Sequence, residues 1–225
     1  MSMQKRAFEL NSALFIPPEG IQYHRMAGRT ETQSRSALRF LKEFDNSNSY
    51  VIHVNAICDR LAFGVEPELV EQAIADVASV IGISSSRPEK TIGKGPDCLW
   101  LGDNGVFFII EVKSDVELDR KEIYKSETEQ LIHSCEWFKQ EYPGKTGRPF
   151  MVHPATKTAH EAVFPSDGRV ITPDVLQRFV ASVRSFAVAL ATEQQSAINE
   201  KIVYTQLEMN KLLFDRCLSD AKKVL

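Results

Sequence analysis

The stretch Gly95 to Asp115, GPDCLWLGDNGVFFIIEVKSD, constrains the fold most. Two apolar runs, CLWL and VFFII, flank a Gly-Asp-Asn-Gly segment, and each run reads as a strand of a hairpin. The second run ends in Glu111 and Lys113, where an apolar strand would carry on. Side chains alternate across a strand, so Val106, Phe108, Ile110 and Val112 share one face, and Phe107, Ile109, Glu111 and Lys113 share the other. Both charges therefore project the same way.

The turn decides whether Asp97 joins them. A two-residue loop at Asp103-Asn104 pairs Leu101 with Val106 and sets Asp97 against Ile110, on the wrong face. A three-residue loop, Asp103-Asn104-Gly105 with Gly105 at positive φ, pairs Gly102 with Val106 and sets Asp97 against Glu111. The order Asn then Gly suits the second loop, because a type I turn followed by a left-handed residue wants Gly last. Two carboxylates and one ammonium then converge on one sheet face. Like charges that close repel, and a divalent cation relieves them. Carboxylate oxygens without Cys or His nearby favour Mg2+ or Mn2+ over zinc. Lys113, beside such an ion, is placed to orient a water or to stabilise charge on a phosphate.

The residues Pro96, Asp97, Glu111, Val112 and Lys113, with thirteen residues between the Asp and the Glu, resemble the PD-(D/E)xK phosphodiesterase superfamily, the restriction-endonuclease-like fold. The resemblance implies that Asp97, Glu111 and the main-chain carbonyl of Val112 bind the metal and that Lys113 assists catalysis. It also implies an acidic residue on the helix before the sheet, for which Glu71 is the candidate. A polar residue on the helix after the sheet would be Gln130. Lys94, in Gly93-Lys94-Gly95, and Ser114 are candidate substrate contacts. The implied fold is α/β, a restriction-endonuclease-like αβββαβ core with a mixed sheet flanked by helices. It would use a helix 67–81, strands around 85–93, 97–101 and 106–114, a helix 120–140 and a strand 149–153.

The rest of the chain falls around that core. Residues 1–64 read as an arm with helices, 65–155 as the nuclease core, and 156–225 as a hairpin and helical extension packed on it. Thr30 or Thr32 can cap a helix carrying Leu38, Leu41 and Phe44. YVIHVNAICDRLAF fits a helix through Val51, Val54, Cys58 and Leu61, while its β-branched start also fits a strand. Pro67 opens a helix with Val70, Ala73, Ile74, Val77 and Ile81 in one stripe. HEAVFPSDGRVI reads as a short hairpin, PDVLQRFVASVRSFAVAL as a helix, and a last helix is expected from about Ile198 to the end. Trp100 is expected in the core and Trp137 on a helix surface. His133, His153 and His160 have no partner at ligand spacing and are not assigned to catalysis.

Composition narrows the function. The chain has 225 residues, 43% hydrophobic, with a formal net charge of −3, so no global basic field drives tight nucleic-acid binding. Arg25, Arg29, Arg35, Arg39 and Lys42 form a local basic stretch that fits either a guide for a nucleic-acid backbone or a solvated helix face. Cys58, Cys98, Cys135 and Cys217 are too scattered for zinc or a disulfide framework. Neither a signal peptide nor an uninterrupted apolar span is read in the chain, and the expected location is cytoplasmic, away from membranes. The expected function is a Mg2+- or Mn2+-dependent nuclease acting on DNA, with RNA as the other substrate, working as a homo-oligomer or with a partner protein. Resembling modules serve bacterial restriction and phage-defence systems. The alternative is a catalytically inactive nuclease-fold scaffold that binds nucleic acid or a protein.

Overall fold

The two apolar runs lie inside a mixed, open, six-stranded sheet of an α/β protein. The computed structural model describes residues 8–10, 13–15, 25–26, 28, 30–102, 105–193 and 197–225. A separate antiparallel pair, β1 (Phe8–Leu10) and β2 (Ala13–Phe15), stands in the stretch read as irregular. Helices α1 (Gln33–Leu41), α2 (Ser47–Arg60) and α3 (Pro67–Val80) follow. Thr32, not Thr30, caps α1, accepting the Arg35 N–H at 3.2 Å, and Asn46 caps α2, accepting the Ser49 N–H at 2.9 Å. A cap of that kind settles α2 as a helix despite its β-branched residues.

The sheet runs β3 (Ser84–Ser86), β4 (Cys98–Leu101), β5 (Val106–Val112), β6 (Thr146–Val152), β7 (Arg169–Ile171) and β8 (Lys222–Lys223), neighbours in that order. The pairs β3/β4, β4/β5 and β7/β8 are antiparallel, and β5/β6 and β6/β7 are parallel. Parallel neighbours need a crossover, and α5 (Lys125–Glu141) supplies it between β5 and β6. Helices α6 (Pro173–Thr192) and α7 (Glu200–Met209) complete the chain before β8.

Alternation in β4 and β5 sorts the core into two layers. Cys98, Trp100, Phe108, Ile110 and Val112 join Phe150, Val152 and Ile171 in the layer covered by α1, α2, α3, α6 and α7. Leu99, Leu101, Phe107, Ile109, Met151 and Val170 face α5 through its buried Leu131 and Phe138. Each fully buried side chain of that size contributes roughly 1.5–3 kcal/mol. The larger layer runs from Ala37 to Ala221, so the N-terminal helices, the middle and the C-terminal segment share one core. Gln33 ties them together: its amide nitrogen donates to the Ile81 and Leu212 carbonyls, each at 2.8 Å, and its oxygen accepts the Phe214 N–H at 3.0 Å.

Several expectations are corrected. The strand around 85–93 is only Ser84–Ser86, because Pro88 opens a short helix, α4 (Pro88–Ile92), that Gly93 ends at φ 67°. No hairpin forms at 160–171 among the described residues; β7 instead adds parallel to β6. The helix after β5 starts at Lys125 rather than 120, since Ile123 is held in a bridge to Thr158. The last helix stops at Met209, and its row Val203, Leu207, Phe214 and Leu218 is core, while Met209 is exposed. Helix α6 has the length and mean hydropathy, 1.2, of a membrane span, but Val175, Leu176, Phe179, Val183, Phe186, Ala187 and Leu190 are buried in the core. The basic stretch is largely compensated: Arg25 pairs with Glu141, Arg35 with Glu200 and Arg39 with Glu31. Arg29 lies outside the described residues.

Candidate functional site

The register of the hairpin places the first two charges. Cys98 pairs with Ile110 and Leu101 with Phe107, and the Gly102 N–H reaches the Val106 carbonyl at 2.8 Å. Gly105 has φ 71°, the conformation the three-residue loop demands, while Asp103 and Asn104 lie outside the described residues. One step beyond Cys98 and Ile110, Asp97 stands opposite Glu111. Its Oδ2 accepts the Val112 N–H at 2.7 Å. N–H and C=O of one extended residue point to the same edge, so the Val112 carbonyl is directed toward the Asp97 strand as well.

Both carboxylates lie on the α5 face, where the apolar layer ends and a cavity of about 1170 Å³ begins. Helix α5 brings Ser134, whose hydroxyl donates to Glu111 Oε1, and one turn earlier Gln130 on the cavity wall. Lys113 follows on the same strand face, with Nζ 3.8 Å from Glu111 Oε2. Asp97, Glu111, Val112, Lys113, Glu71, Gln130 and Lys94 thus all line one cavity.

The electrostatics are unusual for a sheet end. Among the described residues the cavity is lined by Glu71, Glu89, Asp97, Glu111, Asp115, Glu117, Glu127 and Glu136, against Lys94, Lys113 and Arg120. Asp97 and Glu111 are only 5% and 4% exposed. Burial first, then the facing Glu111 and a hydrogen bond with Glu89, push Asp97 far above the usual carboxylate range. Burial also raises Glu111, outweighing Ser134, Lys113 and its hydrogen bond with Asp97. Both carboxyls are thus raised by the same burial and are coupled to each other, so they titrate as a pair.

Other candidates stand differently. Glu71 reaches the cavity from α3, but its carboxylate is ion-paired with Arg87, which also donates to Glu68 at 3.0 Å and Gln72 at 2.9 Å. Burial still raises Glu71 despite that partner. Lys94 sits in a loop that needs glycine: Gly95 has φ 91°, and a Cβ there would lie 2.8 Å from the Trp137 ring. Ser114 is not brought to the cavity; it is fully buried in the turn after β5, and its carbonyl accepts the Gly64 N–H at 2.9 Å. His133 lines the cavity, His153 is buried behind it, and His160 is exposed elsewhere. Trp100 is core, and Trp137 is half-buried on α5.

Glu89 and Ser134 belong to the site but do not follow from the motif. Ser134 was legible as the residue one helical turn after Gln130. Glu89 gave no signal, because its segment reads as a strand and folds as α4.

The donor set suits a hard cation in part. Two buried carboxylates and a backbone carbonyl match Mg2+ or Mn2+, which keep several waters and take one or two protein carboxylates. Among the described residues no three His, Cys, Asp or Glu side chains already converge as an ion cage. A comparison with protein-family models, curated proteins and solved structures finds no significant match for the chain.

Proposed function

We propose that the chain is a divalent-metal-dependent nuclease that hydrolyses phosphodiester bonds of DNA, with RNA as the alternative substrate. The observation that carries this reading is the buried, face-to-face pair Asp97 and Glu111 at the rim of an acid-lined cavity, with Lys113 on the same strand face. The order α3, β3, β4, β5, α5, β6 supports a restriction-endonuclease-like αβββαβ core, with α4 inserted between β3 and β4. The resemblance of Pro96, Asp97, Glu111, Val112 and Lys113 to the PD-(D/E)xK superfamily points the same way.

In this reading Asp97, Glu111 and the Val112 carbonyl hold Mg2+ or Mn2+, with Glu89 beside them. Bound there, the ion supplies a Lewis acid that polarises a phosphoryl oxygen and lowers the pKa of a water. The residues do the rest. Ser134 and the Val112 N–H hold the two carboxylates in place, one donor each. Lys113 orients the attacking water or stabilises charge on the phosphate. Glu71, neutralised by Arg87, serves the site through structure rather than as a ligand. The setting that fits is cytoplasmic, as a homo-oligomer or with a partner protein that delivers the substrate, as in restriction and phage-defence systems. The compensated basic stretch favours delivery by a partner.

The second reading is an inactive scaffold of the same fold, favoured by the acidic excess of the cavity, which repels phosphate when no cation is bound. The test is a panel of supercoiled, linear and single-stranded DNA, and RNA, each with magnesium, manganese or chelator. Metal-dependent cleavage that Asp97→Asn removes supports the nuclease; no cleavage of any substrate with either metal overturns it.

A further inference from the structure

Among the described residues, Arg120 in the cleft keeps one buried guanidinium nitrogen without an acceptor. Arg120 projects from the loop between β5 and α5, which is anchored at buried Ile123: the Ile123 N–H reaches the Lys157 carbonyl at 2.7 Å, and the Ala159 N–H reaches Ile123 at 2.9 Å. The guanidinium lies over the Tyr124 ring, its carbon 4.0 Å from the centroid. Nη1 stands 3.6 Å from Glu127 Oε1, beyond hydrogen-bond range, and is buried with no acceptor among the described residues.

Glu127 is held so that it steers this group without tying it up. Its Oε2 accepts the Tyr124 N–H at 2.6 Å. His153 is fully buried, its Nδ1 2.9 Å from the Ala155 amide nitrogen, and its Nε2 stands 3.6 Å from the same oxygen. Burial opposes ionisation of Glu127, but His153, the Tyr124 N–H and Arg120 together hold it below the ordinary carboxylate range. Arg120 is thus fixed in plane by an aromatic face and a carboxylate, and a guanidinium fork so fixed matches the oxygens of a phosphate.

We propose that Arg120 grips a backbone phosphate of the nucleic-acid strand in this cleft, with Tyr124 and Glu127 as its positioning residues. The proposal rests on the nuclease reading and adds to it a fixed substrate contact beside the candidate Lys94. An acid-lined cavity admits a polyanion only where fixed cations meet it, and Lys113 already faces Glu111.

The test separates binding from chemistry. Asp97→Asn removes cleavage, and in that background fluorescein-labelled single- and double-stranded DNA 20-mers are titrated in magnesium at several salt concentrations, with and without Arg120→Ala. Arg120→Gln, which keeps the stem over Tyr124, replaces the alanine variant if that one is less stable. Loss of Arg120 should weaken binding roughly tenfold or more and lower the slope of log affinity against log salt by about 1. Arg120→Lys should restore the slope but not the full affinity. Unchanged affinity and slope in a folded Arg120 variant overturn the proposal, as does a parent chain that binds neither DNA. DNA binding that depends on Arg120, in a chain that cuts nothing, leaves the proposal standing and sinks the nuclease reading. A cutting enzyme whose KM and affinity ignore Arg120 does the reverse.

Discussion

Replacing Glu111 by Gln should stabilise the metal-free fold and make it indifferent to divalent ions. Asp97 and Glu111 are both raised, Asp97 by burial and then by its neighbour, Glu111 mainly by burial. A carboxyl that holds its proton more tightly folded than unfolded contributes stability that is complete below the unfolded value, about pH 4, and is lost as pH rises through the folded value. The metal-free wild type should therefore lose stability from about pH 4 upward, within its folded range. Glu111→Gln keeps the shape and an oxygen for the Ser134 hydroxyl while removing one of the two charges. It should melt higher than wild type at pH 8 and show a flatter pH profile. Metal reverses the trend for wild type, because binding requires both groups ionised. Manganese at a hundred times its dissociation constant adds about 2.7 kcal/mol. For a chain of 225 residues that is a rise of roughly 5–10 °C in Tm. The assay is calorimetry of both proteins at pH 6, 7 and 8, with manganese or with chelator. Equal manganese shifts in the two proteins would refute the metal site, and equal pH profiles would refute the coupled pair.

Asp97→Ala and Lys113→Ala should each abolish cleavage with the far-ultraviolet spectrum unchanged; a fully active Lys113→Ala protein ends its catalytic assignment. The isolated chain should bind nucleic acid weakly, with affinity falling as salt rises, because its net charge is −3 and most of its basic stretch is paired. Tight binding that salt does not weaken would contradict this. Gln33→Leu strands three buried backbone groups and should cost about 2–4 kcal/mol in denaturant unfolding. A loss under about 0.5 kcal/mol would show that these bonds are readily replaced.

The hairpin was the most legible part of the molecule because its information is local. Period-two alternation assigns Glu111 and Lys113 to one face, and the position of Gly105 decides the register that sets Asp97 opposite Glu111. Helices α3 and α6 were legible for a similar reason, an apolar stripe at helical spacing, whereas the stripe of α2 left helix and strand both open. The misread segments are those where long-range contacts overrule local pattern. Ser84-Ser85-Ser86 is a strand only because β4 lies beside it, and Arg169–Ile171 pairs with β6, not with a hairpin partner of its own.

Alternation and turn chemistry act within a few residues, so the central charges and the sheet face they occupy could be read from the chain alone. Their surroundings arise from packing between distant segments. Glu89 arrives from a helical turn that Pro88 starts, Ser134 from a crossover helix packed by Leu131 and Phe138, and Arg120 from a loop pinned at Ile123. The structure likewise withdrew Ser114 into the interior and gave Glu71 to Arg87. Those partners are far apart along the chain, and no local rule encodes an encounter that depends on how whole elements pack.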